Sequence, residues 1–86
     1  MNKIIVVFRS KTDVFGYIDA LSERGVPSST VGTPKEARIG CGIAVEVDGA
    51  YLGAARAVLR EKRFSGFYGV FHERISGGRR SLERLG

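Results

Sequence analysis

The chain has 86 residues, with fourteen Lys and Arg against nine Asp and Glu, one histidine and one cysteine, which leaves room for one hydrophobic core and excludes an internal disulfide. The N-terminal apolar run, Ile4 to Phe8, is far short of the ~20 residues of a membrane span, and a free thiol without a recognisable signal peptide points to the cytoplasm. Residues 1–55 are balanced at six basic and six acidic side chains, so the net charge of +5 lies in residues 56–86, with eight basic and three acidic; such asymmetry marks an anionic partner or, as the commoner case, a solvated helix face plus a loose tail.

Residues 3–9 (KIIVVFR) are apolar on both faces, as in a central strand. Ser10 opens S-x-x-D with Asp13, a helix N-terminus signature in which a hydroxyl accepts an orphan amide proton and a carboxylate sits in the positive first turn. Val14, Ile18 and Leu21 form one stripe, predicting a helix near 11–24 that Gly25 and Pro27 end. Residues 26–33 read as an extended edge segment and residues 34–41 as a loop. Ile43, Val45 and Val47 alternate with Ala44 and Glu46 as a half-buried strand, after which Asp48 can cap a second helix near 50–63. Its stripe is Leu52, Ala55, Leu59 and Lys62, with Val58 at the border. Residues 66–72 (GFYGVFH) form an aromatic closing strand.

The order βαββαβ predicts an α+β fold of the ferredoxin-like kind: a four-stranded antiparallel sheet with both helices on one face. Residues 1–73 make this single domain, and the Gly- and Arg-rich residues 74–86 read as a mobile tail, with an added arm as the alternative. Phe67 and Phe71 are four residues apart, an even number, and are expected on the same face. The sheet face without helices then carries enough apolar surface to predict a homodimer, formed through that face or through an edge strand.

Cys41 stands between Gly40 and Gly42, with Lys35 and Arg38 in the same loop. Small neighbours let backbone amides approach the sulfur, and nearby cations favour the thiolate. The competing reading is a buried cysteine acting as a small hydrophobe. The single histidine, His72, falls at the end of the last strand, away from this loop, so hydrolytic Cys–His chemistry is not expected. There is no CxxC, one Cys and one His cannot hold a metal alone, and no phosphate-loop glycine pattern opens a helix. No cofactor is therefore expected. Gly66 to Phe71 has a superficial likeness to the aromatic signature of RNA-recognition motifs, but it follows the second helix instead of preceding it, and nucleic acid is not an expected partner.

Phe8-Arg9-Ser10, Gly25-Val26-Pro27, Thr33-Pro34-Lys35-Glu36, Gly40-Cys41-Gly42-Ile43-Ala44 and Gly66-Phe67-Tyr68 together resemble the selenium/sulfur carrier protein-like family over roughly residues 5–72. Gly32 stands where that family often has another proline and Lys35 where arginine is common. The resemblance implies that Cys41 is a carrier thiol, supported by Thr33, Pro34, Lys35, Arg38, Gly40 and Gly42, which holds a persulfide or selenosulfide for transfer between donor and acceptor proteins. It implies a carrier more than a stand-alone catalyst. The alternative from another class is a non-catalytic homo-oligomeric interaction or small-ligand-sensing module in which Cys41 is inert.

Overall fold

The computed structural model describes residues 2–33 and 42–85. The elements are β1 (Asn2–Phe8), α1 (Lys11–Glu23), β2 (Ser28–Gly32), β3 (Ile43–Asp48), a 3-10 turn (Gly49–Tyr51), α2 (Leu52–Glu61), β4 (Phe67–Ser76) and β5 (Arg79–Arg84). The five strands form one antiparallel sheet in the order β2-β3-β1-β4-β5. β1 takes the centre, as its two-sided apolar sequence requires: Ile4 to Phe8 are all buried. Among the described residues, no helix is long and apolar enough to cross a membrane.

Both helices pack on the same face. Ile4, Val6 and Phe8 of β1 and Val45 and Val47 of β3 meet Val14, Tyr17 and Leu21 of α1 and Ala55 and Val58 of α2. Val58 is thus central to the α2 stripe, where the periodicity had put it at the border. Tyr17 locks the layers together: its hydroxyl donates to the Ala55 carbonyl at 2.9 Å, and its ring packs against Phe8 and Phe64. Burial pushes the Tyr17 phenol well above the ordinary tyrosine range.

The α1 termini follow different rules. At the C-terminus Gly25 adopts φ 73°, its N–H bonds the Ser22 carbonyl, and the Val26 N–H reaches the Leu21 carbonyl. This is a Schellman stop, with Val26 and Leu21 both in the core. At the N-terminus Ser10 has extended dihedrals but its side chain makes no capping bond. Asp13 is engaged elsewhere, accepting the Gly66 N–H at 2.7 Å. Asp48 does cap, accepting from the Ala50 N–H, but the turn it caps is the 3-10 turn ahead of α2.

Three expectations are corrected. The sheet has five strands and not four, because the boundary placed at residue 73 falls inside β4 and the segment read as a tail returns as β5. Gly77 and Gly78 make that return possible with φ values of 58° and 78°, the doubly left-handed pair of a two-residue hairpin turn. Second, Phe67 and Phe71 face opposite sides. Val7 pairs with Gly69 but Phe8 pairs with Phe67, so Tyr68 is an extra residue, a β-bulge that shifts the alternation by one. Phe67 consequently joins the helix-side core while Tyr68 and Phe71 lie on the other face. Third, that face is less open than expected. Ile5, Val7, Ala44 and Phe71 are buried there, with Val31, Tyr68 and Leu82 packed against them. Leu85, just after β5, packs on the helix side, so the C-terminal segment serves both faces.

Candidate functional site

One end of the sheet gathers the segments of interest. β2 ends at Gly32 opposite Ile43, the first residue of β3, and the Thr33 N–H bonds the Gly42 carbonyl at 3.3 Å. Residues 34–41 span these two closed ends. β1 ends at Phe8 and β4 begins at Phe67 at this same end, because β1 is antiparallel to both β3 and β4. Across one intervening strand, Gly42 and the start of β4 are about 10 Å apart by sheet spacing. Gly42 is exposed, and a Cβ added there would meet nothing within 4 Å.

Beside it, the turn from β1 into α1 is clamped to the start of β4. The Arg9 N–H donates to the Gly66 carbonyl at 2.6 Å, and the Gly66 N–H donates to the Asp13 carboxylate. Gly66 is required here for closeness: a Cβ would fall 2.5 Å from Asp13 Oδ2 and 3.3 Å from the Ser10 nitrogen. The clamp sets Arg9 beside Tyr68, with the guanidinium carbon 5.7 Å from the ring centre. From the far side of the sequence Arg84 comes to the same ring at 4.8 Å, lies 6.0 Å from the Phe71 ring, and donates from Nη2 to the Tyr68 carbonyl at 2.9 Å. Tyr68 and Phe71 are themselves nearly parallel, 15° apart with centres at 6.4 Å.

Of the residues singled out in the sequence, Thr33 and Gly42 are brought together by the strand-end hydrogen bond. Cys41, Gly40, Lys35, Arg38 and Pro34 lie outside the described residues. His72 is not at a strand end or on the sheet edge: it sits within β4 opposite Ile4, with β5 beyond it. It is four residues of β1 away from Phe8, and so from the Gly42 end. Among the described residues, no three His, Cys, Asp or Glu gather to hold a metal ion. An open cleft of about 430 Å³ lies at the opposite end of the sheet, lined among others by Lys3, Ser29, Glu46, Asp48 and Tyr51; no sequence motif pointed to it. Arg9, Tyr68 and Arg84 were also missed as a group, because nothing in a single sequence relates positions so far apart.

A family model described as "Putative Se/S carrier protein-like" matches residues 3–68, more than half of the chain. The match spans β1 through the start of β4, including the residues between Thr33 and Gly42, and stops before the β4–β5 hairpin. No curated protein and no solved structure matches the chain.

Proposed function

The chain belongs to the Se/S carrier protein-like family, and from that premise we propose that it holds sulfur or selenium on Cys41 and passes it between partner proteins. The observation that carries this reading is the family match, which runs through Thr33, Pro34 and the Gly40-Cys41-Gly42 segment. In the loading step the Cys41 thiolate attacks the terminal sulfur of a donor persulfide. One S–S bond forms and one breaks, the donor leaves as its thiolate, and the proton stays on the transferred sulfur. Unloading is the same exchange toward an acceptor thiolate. No base, cofactor or second cysteine takes part, and a second neighbouring thiol would discharge the persulfide as a disulfide. The single cysteine supports this reading, as does the open space around Gly42.

The scaffold in this reading is a ferredoxin-like domain: strands 2-3-1-4 with both helices on one face, extended by β5. Donor and acceptor proteins meet it in the cytoplasm. A second copy pairs along β2, whose residues Ser28–Gly32 bear no charge, whereas the other edge, β5, carries arginines that disfavour strand addition.

The test is intact mass after incubation with a persulfide-forming cysteine desulfurase and its substrate. Wild type should gain about 32 Da for one sulfur, and Cys41→Ser should gain nothing. An unmodified wild-type protein beside an active desulfurase, or equal modification of Cys41→Ser, would overturn the carrier role.

A further inference from the structure

We propose that two copies of the chain join β2 to β2 antiparallel about a two-fold axis at Thr30, and that this register seats the Gly32 end of each copy against the partner's cleft. The proposal rests on the second copy placed along β2 above, and it needs no chemistry at Cys41. β2 is the outer strand of the sheet, and its sequence SSTVG carries no charge to blunt the edge. The opposite edge is unlike it, since β5 reads RRSLER.

The ladder decides which groups face outward. Along an antiparallel pair, opposed residues alternate between bonding each other and pointing their backbone groups away. The Thr33 N–H bonds the Gly42 carbonyl, so in the same register Val31–Ala44 and Ser29–Glu46 are the bonded pairs. Ser28, Thr30 and Gly32 therefore turn their N–H and C=O groups away from β3, toward the edge. These positions are symmetric about Thr30. An antiparallel second β2 sets Thr30 opposite itself and each Ser28 opposite the partner's Gly32, which gives three opposed pairs of two bonds each. A slip of two residues in either direction loses one of the three pairs. The strand is thus its own best complement.

The surroundings suit the same register. Ser28 and Thr30 are small and Gly32 has no side chain, so nothing on these positions holds a second strand off. Asp13 of α1 bonds Gly66 ahead of β4. Phe15, two residues on and about 200° around the helix, falls on the other side of α1, toward β2, where it is 55% exposed. It offers the second copy an apolar contact beside the ladder. Pro27 and Ser28 line the open cleft with Lys3, Glu46 and Asp48. In the paired register the partner's Gly32 lies opposite Ser28, and its Thr33 follows opposite Pro27. The strand ends that flank Cys41 in one copy therefore stand beside the cleft of the other, and each cleft gains a wall from both chains.

The experiment is sedimentation equilibrium of the full chain across a wide concentration range. Wild type should dimerise, with the dimer fraction rising with concentration. Thr30→Lys sets two ammonium groups on the axis and Thr30→Glu two carboxylates, and each should weaken the dimer about tenfold. Mixing the two variants should restore it, because only a residue opposite itself turns both repulsions into one attraction. Thr30→Pro removes an outward N–H and none of the bonds to β3, so it should weaken the dimer with an unchanged circular dichroism spectrum, and it decides the matter if a charged variant fails to fold. In the Cys41→Ser background, mixed Ser28→Cys and Gly32→Cys chains should oxidise to a covalent dimer, since opposed residues lie about 5.5 Å apart. Either variant alone meets its own copy at about 13 Å, four residues along the strand, and should not cross-link. A monomer at every concentration would overturn the pairing together with its premise. A dimer indifferent to Thr30→Lys and Thr30→Pro, or one cysteine variant cross-linking alone as readily as the mixture, would overturn this register. Sulfur uptake at Cys41 is read separately by intact mass, so the carrier role and the pairing can each fail alone.

Discussion

Replacing Asp13 by alanine removes the acceptor that joins the first turn of α1 to the start of β4. The carboxylate accepts the Gly66 N–H at 2.7 Å in a part-buried position, across 53 residues of sequence. A hydrogen bond to a charged group contributes about 1.5–3 kcal/mol, and its loss here leaves the amide of a buried residue without that partner. Asp13 also sits in the first turn of α1, where a negative charge adds roughly 0.3–1 kcal/mol. Against these, alanine is the better helix former by about 0.6 kcal/mol. The net loss should be about 2 kcal/mol, a drop of roughly 8–16 °C in Tm for a domain of this size. Asp13→Asn keeps an acceptor oxygen and should lose about half as much. Urea unfolding followed by circular dichroism measures both, and an unchanged m value shows that only stability moved. A loss below about 0.5 kcal/mol for Asp13→Ala, or an equal loss for Asn and Ala, would refute the reasoning, because the bond would then not hold the two segments together.

Gly66→Ala should cost about 1–3 kcal/mol through its clash with Asp13 Oδ2, and the cost should be less than additive with Asp13→Ala in a urea-melt double-mutant cycle, since the truncated side chain clears the space. Tyr17 gives an alkaline signature: its folded pKa is raised, so its stabilisation is complete below the unfolded value of about 10 and is lost as pH rises above it, by up to about 1.4 kcal/mol per pH unit. Urea melts at pH 9 and pH 11 should show that fall in wild type and a shallower one in Tyr17→Phe, which at neutral pH should lose only about 1 kcal/mol for the Ala55 bond. A chain ending at Ser76 lacks Leu82, Arg84 and Leu85, which cover both faces of β4, and should lose roughly 2–3 kcal/mol of partly buried apolar contact; an unchanged urea midpoint would return residues 77–86 to the status of an appendage.

Local pattern made most of the architecture legible. The apolar run of β1, the alternation of β3 and the stripes of α1 and α2 each state which surface must be buried, and Gly25 marks the end of α1 through its own backbone preference. Cys41 stood out by being the one thiol, and the carrier-like motifs around it gave the family. β5 had a local signal too: the adjacent pair Gly77-Gly78 suits a two-residue hairpin turn, and reading those glycines as tail composition hid it. The rest was decided only by the folded chain. Asp13 looks like a cap until Gly66 competes for it from 53 residues away, and Phe67 and Phe71 share a face until the bulge at Tyr68 breaks their phase. Arg9, Tyr68 and Arg84 become neighbours because β1, β4 and β5 lie side by side in the sheet, with the ends of β1 and β5 and the start of β4 close together. Propensity and periodicity act between residues a few positions apart, whereas strand order and register set which distant side chains share a surface, and it is register that places two positive charges over one ring.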